Sequence, residues 1–189
     1  MKMKKISILA ALLLACAACG PKEYPPLHQA VLDHVQASVG PEAKLKIKQI
    51  ATVDSLTMGQ LYEQRVKAFD TKLSQDTKFY EKYKGKKMEA NTAKYKKAID
   101  KDKLIIKGLA DMAPEIERIS SVIVCYDVAF SGEAASKELT TVFDGYYAAV
   151  SPSGAVLSTN NEVRGLHKGF GKYLPGYTDL LRQVGEEIE

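Results

Sequence analysis

Two aspartates and one histidine are the residues whose types could support proton transfer or cation binding. Asp127 and Asp144 lie in two segments rich in β-branched and aromatic residues, and His167 lies in a glycine-rich segment further along the chain. A carboxylate close to an imidazole can transfer a proton, and two close carboxylates can bind a cation. Tyr147 lies in the same segment as Asp144 and could line a groove. We therefore take Asp127, Asp144, Tyr147 and His167 as candidate binding residues.

The motifs of the common catalytic classes are missing from the folded part of the chain. Beyond Cys19 there is no GxSxG, SxxK, HExxH or CxxC motif, and no GxxxxGK[ST] phosphate loop. Cys125 is the only cysteine beyond Cys19, and its position in the middle of a predicted strand indicates a small buried residue. We therefore expect no catalytic residues, no metal site and no cofactor, in a protein that is not an enzyme.

Two other functions stay open beside a non-enzymatic binding or structural module. One is a small envelope hydrolase that uses His167 with Asp127 or Asp144. The other is an inhibitor or immunity-type module. An ordinary structural interpretation also fits, in which the two aspartates are solvated and residues 165–177 pack a C-terminal helix onto a sheet.

The register between two predicted strands decides where the aspartates lie. Alternating apolar residues along 121–130 predict the core face of the first strand. If the apolar face of the next strand, residues 140–150, packs on the same core, Asp127 and Asp144 both fall on the opposite face, where they could be near neighbours. A slip of one residue would bring Asp144 into the core. We expect the first register, with both aspartates solvated.

The elements before these strands are predicted from local signals. A first amphipathic helix ends at Gly40, a strand covers residues 44–53, and residues 54–56 are predicted to turn. Thr57 has a glutamine three residues later, which is the capping-box spacing that starts a helix. Two apolar seams at heptad spacing follow. They predict a long αα-hairpin over residues 58–112.

The hairpin seams are interrupted at Gly85 and stop at Pro114. After the hairpin come the two strands, separated by a loop predicted at residues 131–136, then a third strand at residues 155–159 and a C-terminal helix. Helices on an antiparallel sheet of about four strands make an α+β fold. The order of helix and curved meander is similar to NTF2-like and cystatin-like domains, and this resemblance implies a fold without a function.

The hairpin is rich in lysine near its turn. The residues concerned are Lys78, Lys82, Lys84, Lys86, Lys87, Lys94, Lys96, Lys97, Lys101, Lys103 and Lys107. They predict either a partner at the hairpin tip or a solvated helix surface. The partner would be an envelope protein or an anionic one, such as lipid headgroups or a polysaccharide. The solvated surface would have pairs such as Lys78 with Glu81 and Lys96 with Asp100. Arginine, which is favoured for bidentate phosphate recognition, is absent from this region, and we expect no nucleic-acid partner.

The N-terminal segment offers two cysteines for covalent modification. Three lysines precede an apolar run of about ten residues, too short to span a bilayer of about 30 Å. The run ends in Leu13-Leu14-Ala15-Cys16, which resembles the lipobox of bacterial lipoproteins. The resemblance implies lipidation of Cys16 and cleavage before it. Cys19 is the alternative, although Cys16 would then occupy the aliphatic position of the pattern.

The resemblance also implies a location and a domain organisation. Residues 1–15 would be a signal peptide, residues 16–26 a lipidated, Pro-rich tether, and residues 27–189 one domain. Ala17 follows Cys16 where an aspartate would retain a lipoprotein at the inner membrane, so we expect an outer-membrane anchor in the cell envelope. The leader holds three of the 27 basic residues, which leaves 24 against 23 acidic residues. The domain is therefore close to neutral.

Overall fold

A four-stranded antiparallel sheet and a long helical hairpin form most of the molecule. The computed structural model of the protein describes residues 23–186, so residues 1–22, with both candidate lipidation cysteines, and residues 187–189 lie outside the described residues. In chain order the elements are α1 (Pro26–Val39), β1 (Lys44–Thr57), α2 (Met58–Gly85), α3 (Glu89–Arg118), β2 (Ile123–Ala135), β3 (Thr140–Val150), β4 (Val156–Asn160), α4 (Val163–Leu166), a 3-10 helix (Phe170–Tyr173) and α5 (Tyr177–Gln183).

The predicted α+β class is confirmed. The strands lie in the order β1-β2-β3-β4, each antiparallel to its neighbour. The hairpin of α2 and α3 is inserted between β1 and β2, as predicted. None of the helices in the described residues combines the length and the apolar character needed to cross a membrane.

The turn predicted at residues 54–56 is wrong, because β1 continues through these residues to Thr57. They pair with residues 125–127 of β2, so the sheet ladder satisfies their backbone groups. Residue 54 is an aspartate, which is uncommon in strands, and this local signal misled the prediction. The consequence for the site is that Asp54 lies directly opposite Asp127.

The loop predicted at residues 131–136 is also wrong, since β2 runs on to Ala135. Gly132 makes this extension possible at a register shift between β2 and its neighbour β3. A Cβ atom at position 132 would lie only 2.6 Å from the carbonyl oxygen of Lys46 on β1. Glycine is therefore required for the close approach of the two backbones.

The helical hairpin starts at the predicted cap and ends later than predicted. Thr57 Oγ1 accepts a hydrogen bond from the Gln60 backbone N–H at 3.3 Å, and Gln60 Oε1 accepts one from the Thr57 N–H at 2.8 Å. The predicted stop at Pro114 is wrong, because α3 continues to Arg118. The buried side chain of Ile116 packs the last turn into the core, which offsets the cost of a proline inside the helix.

Two apolar clusters cover opposite faces of the sheet. On one face, Val31 and Val35 of α1 pack with Val128 and Phe130 of β2. On the other, the base of the hairpin and the C-terminal segment pack over Cys125, with side chains that include Leu61, Ile105, Leu109, Leu166, Phe170 and Leu181. Strand β2 is therefore covered on both faces over residues 124–128, whereas Ala129 and Ser131 further along the strand are half-buried.

Candidate functional site

Asp127 is a nearly buried carboxylate in the central strand β2. Asp127 is 3% exposed, and its Oδ1 atom lies 2.9 Å from Nε2 of His167. The thiol of Cys125, two residues earlier on the same strand face, donates to the same oxygen at 3.6 Å. The expectation that Asp127 is solvated is wrong, because the hairpin base and the C-terminal segment cover the face on which it lies.

His167 is held in place through its backbone and its ring. It follows α4, whose last residue, Leu166, is fully buried and accepts a hydrogen bond from Ser158 Oγ at 2.5 Å. The carbonyl oxygen of His167 accepts a hydrogen bond from Arg65 Nη2 at 3.3 Å, and the imidazole packs against Phe170 with ring centroids 5.4 Å apart. The imidazole is therefore fixed relative to β2, although it comes from a different part of the chain.

Cys125 acts as a hydrogen-bond donor to Asp127. Burial raises the pKa of the Cys125 thiol to about 12, and the negative charge of Asp127 adds to the shift. The thiol therefore stays protonated at neutral pH, and a protonated thiol is a poor nucleophile. The expectation that Cys125 is buried is confirmed.

Three cavities that share Asp54 and Asp127 form a groove beside this cluster. One of about 270 Å³ extends towards α2, where Glu63 and Lys67 line it. A second, of about 530 Å³, extends towards α4 and the segment after it. The third, of about 550 Å³, follows the uncovered part of the sheet. The two larger volumes are in the range of small-molecule sites, and the smallest lies just below that range.

Asp144 and Tyr147 lie in the part of the groove that follows the sheet. Asp127 is paired with Ala149, five positions after Asp144 on β3, so the two aspartates are not cross-strand neighbours. At about 3.4 Å per residue the separation is on the order of 15 Å along the strand. The two aspartates are therefore not the near neighbours that the sequence allowed, although both line the 550 Å³ cavity. The predicted exposure of Asp144 is confirmed.

Sequence reasoning missed two residues of the candidate site. Asp54 was hidden by the turn predicted around it, and only the β1–β2 register places it opposite Asp127. Cys125 could have been found as a contact of Asp127, because residues two apart in a strand point to the same face. The pairing of Asp127 with His167, 40 residues later, has no local signal.

The lysines near the hairpin turn do not form the ion pairs that were predicted for a solvated helix surface. Counting partners within residues 23–186, ten of the eleven lysines form no ion pair, and the exception is Lys101 with Glu186 at 3.0 Å. The predicted pairs of Lys78 with Glu81 and of Lys96 with Asp100 do not form. We call the exposed lysines between positions 78 and 107 the hairpin lysines.

Aromatic rings lie among the hairpin lysines near the turn. The rings of Phe79, Tyr83 and Tyr95 stack, with centroid distances from 5.2 to 6.4 Å. Lys82 Nζ lies 5.8 Å from the centroid of Tyr83, and Lys94 Nζ lies 5.7 Å from that of Tyr95. The tip therefore combines exposed positive charge with an aromatic surface, and Phe79 is 40% exposed.

Comparisons of the chain with protein-family models, with curated proteins and with solved structures gave no match. The chemistry of the groove therefore follows from its own residues. The Asp127–His167 pair could bind a cation or act as a general base. Within residues 23–186, no serine or threonine hydroxyl forms a hydrogen bond with His167, and the neighbouring thiol is protonated. An activated side-chain nucleophile is therefore not part of the cluster in this part of the chain.

Proposed function

We propose that this protein is a lipid-anchored protein of the cell envelope and works as a non-enzymatic binding module. The lipobox pattern that ends at Cys16 supports the anchor and an outer-membrane location. The groove over Asp127 supports the binding role. In this arrangement the lipid holds the domain at the membrane, and the groove receives a ligand from the surrounding space.

The ligand of the groove is a small molecule that carries an ammonium group. The observation that carries this assignment is the lining of the 550 Å³ cavity, which includes Asp54, Asp127 and Asp144 but no lysine or arginine. Tyr146 and Tyr147 line the same cavity, and tyrosine faces attract cations. Negative charge and aromatic surface together favour an organic cation over an anion.

Calorimetric titration with putrescine and with glucosamine tests this assignment. We expect one of these amines to bind the mature protein in detergent, and Asp144→Asn to weaken binding about tenfold, since a hydrogen bond to a charged group is worth about 1.5–3 kcal/mol. Asp33→Asn removes an exposed carboxylate on α1 and is the matched control. Equal binding by Asp144→Asn and the unchanged protein would overturn the groove assignment.

The lipid anchor is tested by mass spectrometry of the mature N-terminus. We expect the unchanged protein to begin at an acylated Cys16 and the Cys16→Ala variant to lose the acyl chains. Cys19→Ala is the control and keeps them. If Cys16→Ala is still lipidated, the anchor is at Cys19.

A hydrolase that activates water is the second candidate for the groove. The Oδ1–Nε2 distance of 2.9 Å lets Asp127 orient His167 as a general base towards the groove. Such an enzyme would need no side-chain nucleophile. Hydrolysis of an ester or amide probe that is lost in His167→Gln and kept in His34→Gln, which changes an exposed histidine of α1, would favour it.

We further propose that the hairpin lysines bind anionic lipid headgroups. Ten lysines without ion pairs in the described residues, next to stacked aromatic rings, support this partner. Each exposed lysine near an anionic surface contributes about 1 kcal/mol of attraction. Lysine also suits the membrane interface, because its apolar stem can pack there while the ammonium group stays solvated.

Vesicle sedimentation tests the lipid partner. Protein that begins at Glu23 removes the contribution of the anchor. We expect it to bind vesicles containing anionic lipids, with binding lost at high salt. The triple change Lys82→Gln, Lys86→Gln and Lys94→Gln should weaken binding at least tenfold. In the control variant, the exposed residues Lys44, Lys48 and Lys137 are changed to glutamine, and this variant should bind the vesicles normally. Equal loss in both variants would show a general charge effect and overturn the assignment.

A further inference from the structure

Three side chains of different chemistry meet at the base of the groove. Cys125 Sγ, a carboxylate oxygen of Asp127 and a ring nitrogen of His167 all lie within 4.8 Å of one another. We propose that Cys125, Asp127 and His167 bind a divalent transition-metal ion of the Zn²⁺ type. The site is distinct in chemistry from the ammonium-binding part of the groove near Asp144.

Two of the three distances between the donor atoms are close to those of a tetrahedral ion. Zn–S bonds of about 2.3 Å and Zn–N or Zn–O bonds of about 2.0–2.1 Å place neighbouring donors about 3.3–3.5 Å apart at tetrahedral angles. The Sγ–Oδ1 distance is 3.6 Å and the Oδ1–Nε2 distance is 2.9 Å, and the thiol sulfur and the imidazole nitrogen lie within 4.8 Å of each other. Binding therefore requires the carboxylate and the imidazole to separate by a few tenths of an ångström, and the sulfur and the imidazole nitrogen to settle about 3.5 Å apart.

The donors come from positions that the fold holds rigidly. Cys125 and Asp127 lie on one face of β2, a strand that is paired on both edges. His167 is fixed by Arg65 at its backbone and by Phe170 at its ring. Preorganised donors lower the cost of assembling a site around an ion.

The donor set and its surroundings favour one class of ion. Binding of the ion displaces the proton of the Cys125 thiol, which is released to solvent. The resulting thiolate and the imidazole suit zinc and similar metals, whereas Mg²⁺ and Ca²⁺ prefer sets made only of oxygen. Three protein ligands leave one coordination position open in a tetrahedral site. Asp127 and His167 line the 270 and 530 Å³ cavities, so the open position faces the groove and is accessible to a small ligand or water.

Metal binding and amine binding can be tested independently of each other. A divalent ion bound by one thiolate and one carboxylate has no net charge, so Asp54 and Asp144 keep the 550 Å³ cavity acidic. Asp144 lies far along β3 from the three donors. Asp144→Asn should therefore weaken amine binding and leave metal binding unchanged.

Titration with Co²⁺ tests the site, because this ion reports both its geometry and its ligands. We expect the full-length mature protein, stripped with a chelator, to bind one equivalent of Co²⁺. The complex should show the intense visible bands of tetrahedral cobalt and a near-ultraviolet thiolate-to-cobalt band, and Zn²⁺ should displace both. Cys125→Ser should abolish the thiolate band, and His167→Gln should lower the affinity at least tenfold.

Matched controls separate this site from other cysteines and histidines. Cys19→Ser and His34→Gln should keep both signals, since neither residue is a donor of the proposed site. Thermal unfolding without metal checks the fold of each variant. If Cys125→Ser is unfolded, the cobalt affinity of His167→Gln decides whether the site exists. Absence of the thiolate band, or its persistence in Cys125→Ser, would overturn the proposal. Amine binding without a cobalt signal would overturn the metal site alone.

Discussion

At the scale of the residue, the placement of Cys125 and Asp127 on one covered face of β2 controls their chemistry. The carboxylate accepts from both the thiol and the imidazole through the same oxygen, Oδ1. Buried polar groups are usually satisfied in this way, since an unpaired one costs about 1–3 kcal/mol. Burial and, after it, the same contact raise the pKa of the thiol and keep it protonated.

Cys125 should be almost inert to alkylation in the native, metal-free protein. Its side chain is fully buried and its thiol pKa is raised to about 12, so the reactive thiolate is scarce at pH 8. We expect iodoacetamide to modify Cys125 only after unfolding in urea, as followed by mass spectrometry of the peptide around residue 125. Equal modification rates in buffer and in urea would show that the thiol is accessible.

At the scale of the element, the helical hairpin depends on a charged cluster between its two helices. Asp102 of α3 is fully buried, and Lys72 of α2 donates to its Oδ1 at 2.6 Å. Lys72 also contacts Asp76 at 3.1 Å. One lysine is therefore shared by two carboxylates, and no partner in residues 23–186 reaches the second oxygen of Asp102. Removing one member of a buried pair costs more than the pair itself contributes.

Lys72→Met should destabilise the protein by about 2 kcal/mol at pH 7, less than the ~3–5 kcal/mol for fully buried pairs because Lys72 is partly exposed. Burial raises the pKa of Asp102, which outweighs the hydrogen bond and charge of Lys72 that lower it. Because the pKa of Asp102 is higher in the folded protein than its ordinary value of 3.8, the carboxyl group contributes to stability below pH 3.8. This contribution is lost as the pH rises through the pKa of Asp102 in the folded protein.

The effect of Lys72→Met should therefore shrink on acidification, because protonated Asp102 no longer needs a cation. Urea unfolding at pH 7 and pH 4 measures both values. Lys78→Met, which changes an exposed lysine on the same helix, should have little effect at either pH. A constant difference between Lys72→Met and the unchanged protein would contradict the role of Asp102.

The junction between β1 and α2 should depend on its capping box. Thr57→Ala removes the acceptor for the Gln60 N–H and should lower the free energy of unfolding by about 1 kcal/mol. Thr71→Ala is the matched control, since the Thr71 hydroxyl only bonds back to the carbonyl of Lys67 within the helix. Thermal unfolding compares the two, and an equal loss in both would argue against the cap.

At the scale of the whole molecule, stability should be highest in the central strand and lowest at the hairpin tip. Strand β2 is paired on both edges and covered on both faces. Among the described residues, positions 74–101 around the tip include no fully buried side chain, and the tip carries lysines that repel one another. Local openings start where buried apolar contacts are few.

Native-state hydrogen exchange should show this gradient. We expect backbone amides of residues 124–130 to exchange only by global unfolding, and those of residues 82–92 to exchange by local opening. Added anionic vesicles should slow exchange at the tip if the hairpin lysines bind lipid headgroups. Uniform exchange along the hairpin would contradict the gradient.

The sequence by itself determined the elements whose signals are local. The capping box at Thr57, the heptad seams and the alternating strands predict the hairpin and the meander, because helix and strand periods follow from the backbone. The charge of the hairpin lysines and the burial of Cys125 were equally predictable. The extensions of β1 through residue 54 and of β2 through Gly132 were not, since pairing partners override local turn signals.

Only the tertiary structure decided the site. Asp127 was predicted to lie on the face opposite Val128 and Phe130, and it does, but the sequence could not show that Leu61 and Phe170 cover that second face. The contacts of Asp127 with Asp54 and His167 join segments far apart in the chain. Such contacts depend on strand register and on the path of the C-terminal segment, and these are set by packing of the whole domain, which no local pattern encodes.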